Sequence, residues 1–305
     1  MSNNTYINQK ASDDFNKAKS RATLYSILNA LTPERQRLLS LEDVKKILKP
    51  KTETYLGMKT VPVKLVVGSE GRYKDFTKAF LPKKEFSRSR WENIDKAHLQ
   101  SIILPPIKLY EIGGAYFVRD GNHRVSVAKA QGVMDIDAEV IRLDTEIDIK
   151  PGVSTEELKK KVIEYEKNRI FKETDLGKVI SPDTLSFTAT GRFVELLRHI
   201  QGHKYFINED KDEEIPFLDA AKSWYEHLYL PIVRIVREEN ILSRFPGRTE
   251  GDLYLWIVKH WDQLKKHYGD NFSLRSAVLD YSARFGTEKK SFFKRLFDFL
   301  RNRNR

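Results

Sequence analysis

The stretch "PPIKLYEIGGAYFVRDGNHRVSVAKAQG", residues 105–132, limits the fold of this chain more than any other. Two β-rich runs meet at Gly113-Gly114, and paired glycines supply the positive φ angles that a tight hairpin turn needs. The second run ends at Arg119, and Asp120-Gly121 makes a turn. Residues 122–131 then read as a helix, with Val125, Ala128 and the Lys129 stem at i, i+3 and i+4 and Gly132 as its stop. The turn needs Gly121 and Asn122, but it does not need His123 and Arg124 directly behind them. The first N–H groups of a helix lack internal partners and carry the positive end of its dipole, so a helix start behind glycine is a cradle for phosphate. His123 and Arg124 add side-chain donors at the same place. The plainer reading of these residues is a capped turn, with Asn122 as cap, His123 packed and Arg124 a surface charge.

Around this centre the elements alternate. Residues 13–31 place Phe15, Ala18, Ala22, Tyr25 and Leu28 at helical spacing. "SLEDVKKIL" opens with Ser40 and Asp43 in a capping-box pattern. "TVPVKLVVGS" reads as a strand, "EGRYKDFTKAFLPKKEFSRSRW" as a basic connection rich in aromatics, "ENIDKAHLQSI" as a helix and "DIDAEVIRL" as a further strand. Beyond Lys150-Pro151-Gly152 the pattern is helical: a segment capped by Ser154, then "GRFVELLRHIQGH", "DAAKSWYEHLYLPIVRIVREENIL", and a helix running from a Thr249 cap to Gly269. The expected organisation is an α+β protein: an N-terminal helical segment over 1–50, the α+β domain over 51–150, a helical domain over 151–287 and a basic amphipathic tail over 288–305.

The hairpin, "DGNHR", the small-residue helix and "IDAEVIRL" together resemble the central motif of the ParB/sulfiredoxin superfamily, over roughly residues 60–145. The motif is nearest to the Asp-Gly-His-His-Arg version of the free serine kinases. The whole chain also resembles a group of bacterial proteins in which this domain precedes a helical one containing a segment like "FPGRTEGDLYLW". The resemblance implies a nucleotide-binding domain (ATP, ADP or CTP, with Mg²⁺), possible as a phosphotransferase or a nucleoside-triphosphate hydrolase. It implies that Asp120 and Gly121 form the turn, with Asp120 orienting substrate or metal, and that His123 and Arg124 contact phosphate. Arg72, in "GSEGR", stands where the family often places an arginine after its first strand. Gly68, Ser69, Arg72, Gly121, Asn122, His123 and Arg124 are thus the expected ligand contacts, with Glu70, Asp120 and His123 as catalytic candidates. Sulfiredoxin chemistry is excluded, because Asn122 stands where that activity requires a cysteine and the chain has none. The Glu of the ParB signature is missing, and residues 151–305 offer no counterpart of ParB's helix-turn-helix.

Charge and composition add alternatives. The formal charge of +11 is uneven: residues 1–150 carry 26 Lys+Arg against 19 Asp+Glu, residues 151–287 carry 21 against 22, and residues 288–305 carry 7 against 2. Such a distribution suits a polyanion, a phosphate-bearing small molecule or an anionic membrane. The 72–90 segment interleaves Lys74, Lys78, Lys83, Lys84, Arg88 and Arg90 with Phe76, Phe80 and Phe86, followed by Trp91. This is a pattern for a non-enzymatic DNA- or RNA-binding regulator, or simply core aromatics beneath solvated charges. In the tail, Phe292, Phe293, Leu296, Phe299 and Leu300 share one helical side, which suits an anionic membrane, a protein partner or the protein's own helical domain. Glu195, His199 and His203 line one stripe, and two histidines at i, i+4 can share a metal, but no acid partner is evident. Zero cysteines and the lack of a signal-peptide pattern at the start lead to the expectation of a cytoplasmic protein.

Overall fold

The structure, a computed structural model, describes residues 3–28, 38–209, 211, 213–269 and 271–287. The 288–305 tail lies outside the described residues. The chain divides into two compact units, Met1–Val162 and Ile163–Arg305. The first combines helices with a six-stranded sheet and the second is helical, so the protein is of the mixed α/β kind.

In the first unit the strands are β1 (Leu39–Ser40), β2 (Glu53–Pro62), β3 (Val66–Ser69), β4 (Ile107–Ile112), β5 (Ala115–Asp120) and β6 (Asp135–Leu143). Their spatial order is β1-β3-β5-β4-β6-β2. β4 and β5 form the expected antiparallel hairpin, Ile112 facing Ala115, with Gly113 and Gly114 at φ 56° and 77°. β6 runs parallel to β4 and antiparallel to β2, and β3 runs parallel to both β5 and β1.

The run "TVPVKLVVGS" is not one strand. Pro62 ends β2, Val63–Leu65 make a 3₁₀ turn, and Val66 starts β3 four strands away. Proline gives the ladder no N–H, so it suits a strand end. Four residues of extended chain reach about 14 Å, whereas four strand spacings of a flat sheet come to about 19 Å. The sheet must therefore curl until the end of β2 approaches the start of β3. A bulge between Tyr55 and Gly57, the latter at φ 72°, supplies part of that bend.

The helices of this unit are α1 (Asn3–Leu28), α2 (Leu41–Leu48), α3 (Arg88–Leu99) and α4 (Asn122–Ala130), followed by the start of α5 (Thr155–Thr174). Phe15, Ala18 and Ala22 of α1 are buried against Trp91 of α3 as their spacing predicts, but Tyr25 is half exposed. Trp91 Nε1 donates to Ser126 Oγ (2.9 Å), which donates to Phe80 O (2.6 Å), so α3, α4 and the connection before α3 are joined through one buried hydroxyl. Lys129 Nζ donates to Val66 O at 2.7 Å and lies over the Phe80 ring, tying α4 to β3; burial pushes its pKa down to about 8. Ser40 caps α2 by accepting the Asp43 N–H, one of the two bonds of the capping box read from the sequence.

Asp95 on α3 is fully buried; its Oδ1 accepts from Gln131 Nε2 (2.7 Å) and its Oδ2 has no partner. Burial raises its pKa, opposed in part by the Gln131 bond. An Asp whose folded pKa lies above the unfolded value costs stability as the pH rises through that window. Asp95→Asn removes the buried charge and its repulsion from Asp14, and should therefore stabilise the protein by about 1 kcal/mol near pH 7. In urea titrations the gain should vanish near pH 3, and a gain independent of pH would contradict this account.

The second unit continues α5 and adds α6 (Arg192–Asn208), α7 (Phe217–Trp224), α8 (Leu230–Glu238), α9 (Glu250–Tyr268) and α10 (Leu274–Phe285). The 219–242 run expected as one helix is interrupted by a π-helical turn at Tyr225–Tyr229, directly before Pro231, whose ring cannot donate an N–H to the preceding turn. Trp224, Tyr229 and Tyr254 form the centre of the core, with Trp224 Nε1 donating to Tyr254 Oη at 2.8 Å. Thr249 and Asp252 form the complete capping box expected at the start of α9.

Candidate anion-binding site

The site is built on the β5–α4 turn. Gly121 sits at φ 104°, and a Cβ there would lie 2.5 Å from Ile107 Cγ2, so both conformation and space demand glycine. Gly121, not Asn122, is the residue that precedes the helix, and no side chain caps it. The first backbone N–H of α4 with a partner is that of Val125, which donates to Gly121 O (3.0 Å). The three before it, of Asn122, His123 and Arg124, have no backbone acceptor among the described residues.

A second segment closes over this helix start. Ser69 Oγ donates to Val118 O (3.2 Å) and accepts the Arg72 N–H (3.4 Å), while the Asp75 N–H reaches Arg72 O (3.0 Å). These bonds fold "GSEGR" back so that Gly71 and Arg72 line the same cleft as residues 120–124. Only Gly71 and Arg72 of that segment reach the lining. α3 contributes Arg90 and the end of β5 contributes Arg119, and the cleft measures about 280 Å³.

Arg72, Arg90 and Arg119 are exposed and form no ion pair among the described residues; Arg119 lies 5.7 Å from the centre of the Tyr110 ring. His123 lines the same cleft, 4% exposed and edge-on to Phe76. Burial, then Arg90 and Arg72, push its pKa down to about 4, so the ring is neutral at pH 7. Its Nε2 and the Oδ1 of buried Asn122 are both without a hydrogen-bond partner among the described residues. Buried polar atoms are rarely left so in a fold.

The other expected residues have different places. Arg124 lines the cleft, but its guanidinium donates to the carbonyls of Pro105 and Pro106 and to Asp120 Oδ2 (2.7 Å). It is a wall of the site, and Asp120 is held in the same pair. Gly68 is buried in β3 where a Cβ would meet the Phe117 ring, and neither it, Ser69 nor Glu70 lines the cleft. Arg90 and Arg119 were not singled out for this site from the sequence; the available signal was only that Arg119 ends the strand feeding the turn. Asp120 is the one carboxylate in the lining and is already ion-paired, a donor set that does not fit a Mg²⁺ held by the protein. Among the described residues no three His, Cys, Asp or Glu side chains group as metal ligands.

The other sequence candidates fall into structural roles. Phe76, Phe80 and Trp91 are fully buried, leaving Phe86 as the exposed ring of the 72–90 segment. Lys84 pairs with Asp75, and Arg88 with Glu85 and Glu92. In the second unit His199 bonds Tyr254 Oη and His203 bonds Ser223 Oγ. No helix among the described residues is long and apolar enough to cross a membrane.

No protein-family description and no curated protein matches the chain. Among solved structures it is similar to a Pnob8-like ParB-N domain at 10% identity and a TM-score of 0.22, over 83% of this chain and 98% of that one. At that score the likeness carries no argument about fold or function.

Proposed function

We propose that the first unit binds a nucleotide by its phosphates in the cleft between Arg72, Arg90, Arg119 and the start of α4. The observation that carries this reading is the gathering of three unpaired guanidinium groups around a helix N-terminus whose buried Asn122 and His123 lack partners. With Asp120 and Arg124 neutralising each other, the cleft has an excess of three positive charges, which a di- or triphosphate matches. Backbone N–H groups at the start of α4 and arginine forks would share the oxyanions, and rotation of the His123 ring and the Asn122 carboxamide would present their N–H groups. Mg²⁺ would arrive on the phosphates. The reading concerns binding, and it accommodates ATP, ADP or CTP.

The double variant Arg72→Ala/Arg90→Ala, both at exposed positions, should lose about 100-fold or more in affinity for ATP, ADP and CTP, given about 1.5–3 kcal/mol for each hydrogen bond to a charged group. Calorimetric titration and ligand-induced melting shifts measure this. Binding unchanged in the variant, or undetectable in the wild type for all three nucleotides, would overturn the proposal.

A further inference from the structure

The cleft does not end at Arg124. Arg124 and Ile94 also line a second depression of about 240 Å³, walled by Ile102, Leu104 and Pro106 on the approach to β4, by Val127 and Ala128 of α4 and by Ile136 of β6. Ile102 is 54% exposed and Leu104 37%, so apolar side chains stand in water on the wall of a concavity. Such surface is what the body of a ligand covers. Arg124, fixed on the carbonyls of Pro105 and Pro106, lines both depressions, as does Ile94, and together their size suits one ligand with a charged end and an apolar body.

The rim carries two carboxylates, Asp135 and Asp137 of β6. Asp137 Oδ1 already accepts from Thr60 Oγ1 at 2.9 Å. Asp135 is exposed, with no hydrogen bond or ion pair from any described side chain. An ionised carboxylate is an acceptor only. It attracts the exocyclic amino group of adenine or cytosine and repels the exocyclic carbonyl oxygen that replaces it in hypoxanthine or uracil.

We infer that this second depression seats the ring of the nucleotide and that Asp135 selects a base carrying an amino group. The inference rests on the nucleotide reading above, and the two fail separately. The probes are ATP, inosine triphosphate, CTP, UTP and tripolyphosphate, titrated calorimetrically at fixed Mg²⁺ against the wild type and Asp135→Asn.

ATP should bind about tenfold tighter than inosine triphosphate, or CTP about tenfold tighter than UTP, the scale of one hydrogen bond to a charged group. Asp135→Asn should erase that preference and leave tripolyphosphate affinity within about twofold. If tripolyphosphate binds as tightly as every nucleotide, the ring subsite is refuted and the phosphate site stands. If the four nucleotides exceed tripolyphosphate equally, or the preference survives in Asp135→Asn, selection by Asp135 is refuted. If neither tripolyphosphate nor any nucleotide binds, the phosphate site itself is refuted.

Discussion

Gly121→Ala should lower the free energy of unfolding by about 2–5 kcal/mol. The left-handed conformation at φ 104° costs a residue with a Cβ about 1–2 kcal/mol. The added methyl would also stand 2.5 Å from Ile107 Cγ2 and 2.9 Å from Ile107 Cβ, a core overpacking worth about 1–3 kcal/mol. Ile107 is buried in β4 and cannot withdraw without disturbing the sheet. Gly71→Ala is the matched control: it lines the same cleft, but nothing lies within 4 Å of its added Cβ, so the change should stay within about 0.5 kcal/mol. Urea denaturation of the two variants compares them directly. Equal, small losses at both glycines would mean that the β5–α4 turn is not held as described.

Acid should destabilise the protein through His123. The folded pKa, about 4, lies below the unfolded value of 6.5, so the unfolded chain binds the extra proton first. The contribution of the neutral ring is complete above pH 6.5 and is lost as the pH falls toward 4. At 1.36 kcal/mol per pH unit, discounted for water reaching the ring from the cleft, about 2 kcal/mol disappears over that window. His123→Leu should remove this share, so the difference in stability between wild type and variant should shift by about 2 kcal/mol between pH 7 and pH 4. Saturating tripolyphosphate should blunt the acid loss, because an anion beside Nε2 stabilises the imidazolium. A difference between wild type and variant that does not change with pH would show that the ring is not held neutral by burial and by the two arginines.

What could be read from the sequence was local. Gly113-Gly114, the boundaries of β6, and the caps at Ser40 and Thr249 each depend on residues a few positions apart, and each stands in the structure as read. The split at Pro62 was missed because "TVPVKLVV" is apolar and β-branched throughout, and only the curl of the sheet makes the chain leave one edge there. The site shows the same division. "DGNHR" announced a helix start and left open whether Asn122 caps it, whereas Arg90 reaches the cleft only because Trp91, its neighbour, is buried beside α1 and α4. Arg124 looked like a ligand contact because nothing local reveals that Pro105 and Pro106, eighteen or nineteen residues earlier, offer it their carbonyls. A role set by an acceptor brought in from another segment has no signature at the residue itself.

During synthesis β2 is made long before its one neighbour in the sheet, since Pro62 pairs with Asp135 and Glu53 with Leu143. The β4–β5 hairpin can close within roughly 10 μs of its residues becoming available. At about 5–20 residues per second, β2 waits for roughly 4–15 s. Through that interval a ten-residue strand bearing Tyr55 and Met58 presents unmatched N–H and C=O groups, the template on which nascent chains pair with one another. A chain cut short before residue 135 therefore keeps a sticky edge, because the strand that covers β2 lies beyond the break.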